Sequence, residues 1–121
     1  MQAVGVPQRI STSAFTLDWS ARGDQEVVLS LQGELDLSVA IETRQLVEDA
    51  LRQAQDVIID LAGVEFVDST GLATLLRAKE FADSAGRRLR IAGPVQVQVR
   101  RVLRITGLEQ ALAIDREAGE G

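Results

Sequence analysis

Apolar residues recur along the chain at two spacings, and the spacing separates strands from helices. Ala14-Phe15-Thr16-Leu17-Asp18-Trp19 alternates, which puts Phe15, Leu17 and Trp19 on one face of a half-buried strand. Ala21-Arg22-Gly23-Asp24 is turn chemistry. Residues 26–32 alternate again, with Val27, Leu29 and Leu31 together. Two such strands across so short a connection predict an antiparallel hairpin. The alternation breaks at Gly33-Glu34-Leu35-Asp36. Ser38 then offers an N-cap hydroxyl. Thr43, Leu46, Val47, Ala50, Leu51 and Ala54 follow at helical spacing, with charged residues mostly opposite. The pattern predicts an amphipathic helix of about four turns.

Asp56-Val57-Ile58-Ile59-Asp60-Leu61 is a short, β-branched apolar run between two helical patterns, so it reads as a central strand covered on both faces. After residues 62–67, Asp68-Ser69-Thr70-Gly71 opens a second helix running to about Ala85. Leu72, Leu75 and Leu76 are expected to face inward there, and Gly86 is placed as the C′ residue. Residues 87–92 hold the next strand, centred on Leu89 and Ile91. Val95, Val97 and Val99 alternate as in a strand, but Pro94 in front and Val102 and Leu103 behind favour a helix with Pro94 at position N1. Residues 105–108 stop it, and residues 111–114 form a last short strand or helical turn. The order β-β-α-β-α-β-α-(β) predicts an α/β fold with one mixed sheet of four to five strands, an opening hairpin and helices packed on it. Residues 1–12 read as a flexible leader, 13–115 as one domain and 116–121 as a solvated tail.

Composition narrows what such a domain can do. With 121 residues, 45% apolar and 26% charged, one globular domain with a real core is expected. The chain contains no Cys and no His. That removes disulfides, thiol chemistry, thiolate zinc sites, serine–histidine triads and His-based acid/base catalysis. Carboxylates alone remain for a metal, and Asp60 with Asp68 makes a poor site, so no metal or other cofactor is expected. No apolar run is long enough to span a membrane, and the N-terminus lacks a secretory pattern, which makes the cytoplasm the default.

Val67-Asp68-Ser69-Thr70-Gly71-Leu72 lies between a strand and a helix start, where sites in open α/β sheets are found. Asp68 is suited to cap the helix, which leaves Ser69 and Thr70 in its first turn. A serine nucleophile lacks a base here, since Lys79 is two turns away, and the order G-x-S-x-G is absent. Neither a Walker-type nor a dinucleotide-binding glycine pattern occurs. Ordinary helix capping and a modified serine both remain open on these residues. A phosphate at a helix N-terminus meets the positive end of the dipole and adds a charge of about −1.5 to −2. Glu34, Asp36, Glu65 and Asp68 are the acids expected around it.

Four segments occur together in order: Gly33-Glu34-Leu35-Asp36, Val57-Ile58-Ile59-Asp60-Leu61, Phe66-Val67-Asp68-Ser69-Thr70-Gly71-Leu72 and Leu103-Arg104-Ile105-Thr106-Gly107-Leu108. On these the chain, over roughly residues 14–115, resembles the STAS domains, specifically the single-domain anti-sigma factor antagonists of bacteria. The resemblance implies a STAS-like single domain with a helix over residues 94–104. It implies a non-enzymatic protein that binds an anti-sigma factor, itself an ATP-dependent serine kinase. Binding is then lost on phosphorylation of the serine after the motif's Asp and regained through a serine phosphatase. Carried over by position, the acceptor is Ser69, with Thr70 the weaker candidate. Asp36 matches the acidic residue lining the partner surface. Glu34, Asp68, Ser69, Thr70 and Gly71 complete the partner-binding set, with Gly71 read as allowing close approach. Other single-domain members serve a phospholipid-trafficking ABC transporter or large sensory assemblies, and these are the alternatives.

Charge adds one more feature. Arg87, Arg88, Arg90, Arg100, Arg101 and Arg104 give residues 87–104 a charge of +6 without an acid, so the remainder of the −5 chain is −11. Without aromatic platforms, and at negative net charge, this does not predict direct nucleic-acid binding. A solvated arginine face is the expectation, and a second protein-contact face the alternative.

Overall fold

The computed structural model describes residues 9–111 and the backbone of 114 and 115; residues 1–8 of the expected leader and the expected tail lie outside the described residues. Among the described residues, six strands form one sheet in the order β1-β2-β3-β4-β5-β6. They are β1 (Arg9–Ser11), β2 (Phe15–Arg22), β3 (Glu26–Leu35), β4 (Asp56–Val67), β5 (Arg88–Ala92) and β6 (Ile114–Asp115). β1, β2 and β3 pair antiparallel, and β3, β4, β5 and β6 pair parallel. The sheet is mixed, as the opening hairpin predicted. It exceeds four to five strands because Arg9–Ser11, expected in the leader, pairs with residues 16–18 of β2 and buries Ile10.

Four helices accompany the sheet: α1 (Leu37–Gln53), α2 (Ser69–Ala85), α3 (Val97–Ile105) and α4 (Leu108–Ala111). Helices α1 and α2 form the crossovers from β3 to β4 and from β4 to β5, as parallel neighbours require. Val39, Thr43, Leu46, Val47, Ala50 and Leu51 give α1 its buried stripe. Leu75, Ala78 and Ala82 do so for α2, which ends on left-handed Gly86 as expected. Of the three leucines expected inward, Leu75 is fully buried and Leu72 packs partly buried against the core, but Leu76 is 41% exposed. The small residues Ala78 and Ala82 take the buried positions instead. Helix α3 starts at Val97 with Gln96 as its N-cap, so Pro94 stands outside the helix rather than at N1. Val99 and Leu103 anchor α3 in the same core as Leu61 and Val64.

Both central strands are longer than their sequence pattern suggested. β3 continues through Leu35, and β4 continues through Val67. Two register shifts between them break the alternation of β4, whereas β3 carries its buried face past Gly33 to Leu35. Ser30 and Gln32 oppose Asp60 and Gly63, and Gly33 and Glu34 oppose Val64 and Phe66, so both extra residues lie in β4. Such bulges bend the strand. The Asp60 carboxylate accepts the Ala62 N–H at 2.9 Å, satisfying a donor at the first bulge. Nor is β4 covered on both faces. Val57, Ile59 and Leu61 are fully buried, while Asp56, Ile58 and Asp60 are half-exposed on a face shared with Glu26 and Arg90. That face is laced with the pairs Arg88–Asp56 at 3.1 Å and Arg90–Glu26 at 3.4 Å.

Candidate functional site

β3 and β4 end side by side, with Leu35 opposite Val67, and each is followed by an aspartate that starts a helix. Asp36, not Ser38, caps α1: its Oδ1 accepts the Ser38 N–H at 3.0 Å and the Ser38 hydroxyl at 2.7 Å. Ser38 thus donates to the cap. Asp68 caps α2. Its Oδ1 accepts the Thr70 hydroxyl at 2.5 Å and the Gly71 N–H at 2.9 Å. Its Oδ2 reaches across to accept the Leu37 N–H of α1 at 3.2 Å. One carboxylate therefore joins the first turns of both helices. The Thr70 hydroxyl, then the Gly71 and Leu37 N–H groups, hold the Asp68 carboxyl below its ordinary pKa, with burial working against them.

Ser69 is the first residue of α2. It is exposed, and its hydroxyl makes no hydrogen bond among the described residues. It stands between two committed neighbours, Asp68 in the cap and Thr70 on the cap. The first N–H groups of a helix lack intrahelical partners, so they and the dipole give Ser69 a positive local field. Glu34 is exposed near the end of β3, paired in register with Phe66, which is half-exposed beside it. Asp36 and Asp68 are half-buried. The six expected site residues thus lie at one end of two neighbouring strands. Asp60 points to the opposite face of β4 and is not part of this cluster.

Gly71 is buried. A Cβ there would stand 2.3 Å from the Leu35 carbonyl oxygen and 3.0 Å from Val67 Cγ1. The glycine admits α2 to the end of β3, and its close approach is internal rather than toward a partner.

The sequence reading missed the surface beside this cluster. Leu37 and Ile41 are 68% and 64% exposed on α1. Their signal was legible: they fall at i and i+4 just after Asp36, off the stripe that α1 buries. Arg44 and Arg77 flank them, where α1 and α2 face one another.

Residues 20–114 match the sequence model of the family described as "Mlab, STAS domain". The chain belongs to the STAS family. A relative of this STAS domain in Paenibacillus polymyxa, named anti-sigma F factor antagonist, is 27% identical over 90 residues, 73% of this chain and 76% of that protein. The intermembrane phospholipid transport system binding protein MlaB of Escherichia coli K12 is 35% identical over 78 residues, 64% of this chain and 75% of that one. Among solved structures, the anti-sigma factor antagonist of Mycobacterium paratuberculosis superposes with a TM-score of 0.74 at 23% identity, over 87% of this chain and 89% of that one. At that identity the likeness is one of fold, and the fold is the STAS fold. Among the described residues, no helix is long and apolar enough to cross a membrane.

Proposed function

We propose that this STAS domain is a non-catalytic antagonist of an anti-sigma factor. It binds an anti-sigma factor that is also an ATP-dependent serine kinase, through the surface formed by Glu34, Asp36, Asp68, Ser69 and Thr70. Phosphorylation of Ser69 ends binding, and a serine phosphatase restores it. Regulation of sigma-factor-dependent transcription follows by exchange of partners, in the cytoplasm. The observation that carries this reading is the exposed, uncommitted Ser69 hydroxyl at the start of α2, flanked by two residues that are both tied into the cap. The helix N-terminus accommodates the phosphate, so the fold persists while the surface gains about −1.5 to −2 of charge. Thr70, whose hydroxyl already donates to Asp68, is the poorer acceptor. The name of the Paenibacillus relative supports the same reading.

The test is a pull-down from native extract with wild-type, Ser69→Ala and Ser69→Glu baits, read by mass spectrometry. A soluble ATP-binding kinase retained by the first two and lost by the third is the expected result. A membrane ATPase complex recovered equally by all three would instead make the chain an accessory subunit of a phospholipid transporter. That second reading is favoured by the 35% identity to MlaB and by the description of the matching family. ATP turnover by the purified chain alone would contradict both.

A further inference from the structure

Between α1 and α2, beginning at Thr70, runs a groove of about 230 Å³. Helix α1 contributes Ala40, Ile41 and Arg44, and α2 contributes Thr70, Ala73 and Arg77. Thr74 closes its base, with its hydroxyl donating to the carbonyls of Thr70 and Ala40 at 3.0 and 3.3 Å. The groove is mostly apolar, and helical spacing continues it along α1, where Leu37 lies one turn before Ile41. Two of the six large hydrophobic residues exposed among the described residues thus lie along this strip.

The two charged residues that line the groove are both arginines, Arg44 and Arg77, while Asp36 and Asp68 stand at its Leu37 end. Arg77 is exposed and has no ion pair among the described residues. Arg44 approaches Glu48 only at 3.8 Å, and its buried Nε has no hydrogen-bond partner. Arg88 and Arg100 lie nearer to their carboxylates, at 3.1 Å from Asp56 and 3.0 Å from Glu109. An apolar floor, an Arg77 without an ion pair among the described residues and an Arg44 held loosely by Glu48 call for an apolar anchor accompanied by a carboxylate. The volume is below the roughly 300–1,000 Å³ of small-molecule pockets. It suits a single large side chain of a protein partner, as at interface hot spots.

From this we infer that the α1–α2 groove receives an acidic amphipathic helix of the partner protein, with one aliphatic or aromatic side chain between Ala40 and Ala73 and a carboxylate on Arg44 and Arg77. The inference rests on the antagonist reading and names the chemistry of that partner. It also gives Ser69 a specific lever. Ser69 lies one turn before Ala73, so the modified hydroxyl sits at the end of the groove that the acidic helix must cover. A phosphate there repels the partner's own carboxylates.

The experiment places photo-reactive p-benzoylphenylalanine at Ile41 or Ala73 of the full chain in its native host, with a Val97 position on α3 as control, and sequences the crosslinked peptide. Both groove positions are expected to trap the same partner segment, with Asp or Glu within one turn of the crosslink. The combined change Arg44→Glu and Arg77→Glu is expected to lower the yield at least tenfold. No crosslink from the groove, a segment without acids, or a yield indifferent to charge reversal overturns the inference. Adding Ser69→Glu separates the two claims. If it releases the partner while the groove never crosslinks, only the groove assignment falls. If the groove crosslinks to an acidic helix whatever stands at residue 69, the phosphorylation switch falls and the groove stands.

Discussion

Asp68 uses both carboxylate oxygens, one within α2 and one across to α1. Asp68→Ala removes the cap and the bridge together and is expected to cost about 1–2 kcal/mol. Asp68→Asn keeps a capping oxygen and costs less. The two should differ in pH response from the wild type. The folded carboxyl has a lowered pKa. Its contribution is therefore complete above the unfolded value of about 3.9 and is lost as pH falls through the folded pKa. Urea unfolding from pH 7 down to pH 3 should show the stability gap between wild type and Asp68→Asn narrowing on acidification. A gap constant with pH would mean that the lowered pKa plays no part in stability. Gly71→Ala tests the other contact at this corner. Alanine is the better helix former, yet its Cβ would meet the Leu35 carbonyl oxygen at 2.3 Å. A net loss of about 1–3 kcal/mol in denaturant titration is expected. At this scale the capping role of Asp68 was legible, because Asp before a helical stripe has a specific use. Its bond to Leu37 was not, because that depends on two chain segments meeting 31 residues apart.

Among the elements, α1, α2 and the hairpin were readable because each holds one spacing throughout. β4 was not, because its buried positions run Val57, Ile59, Leu61, Val64, Val67. A period of two becomes a period of three wherever a bulge adds a residue, and the eye ends the strand at Leu61. The one-sided burial of β4 also misled: a β-branched run looks fully covered when only alternate residues are. Ile58 and Ile59 measure this directly. Ile59→Ala, at a fully buried site, is expected to cost about 2–5 kcal/mol. Ile58→Ala, on the open face, should cost about 1 kcal/mol. Equal losses would mean that both faces are covered in solution. In α2, Leu76 was expected inward with Leu72 and Leu75, but Ala78 and Ala82 are fully buried and Leu76 is left outside.

Across the whole molecule, the basic segment resolves into separate contacts. Arg88, Arg90, Arg100 and Arg104 each face a carboxylate, on Asp56, Glu26, and Glu109 for the last two. The run of like charge in sequence is thus largely matched in space, by acids that sequence distance concealed. Most of these pairs are partly exposed, and such pairs contribute little each. Raising NaCl to ~0.5 M should therefore shift the unfolding free energy by less than about 1 kcal/mol. A larger drop, read by thermal or urea unfolding, would show that the charge network stabilises the fold after all.

The strand order has a consequence for the nascent chain. Each strand pairs with the one made immediately before it. As the polypeptide leaves the ribosome, no hydrogen-bonded pair has to open to admit a later arrival. A chain arrested after α2 already holds the hairpin and one complete βαβ unit in final register. The far margin of β4 then waits bare for β5, and until it comes that margin is the place where a neighbouring nascent chain can add a strand of its own.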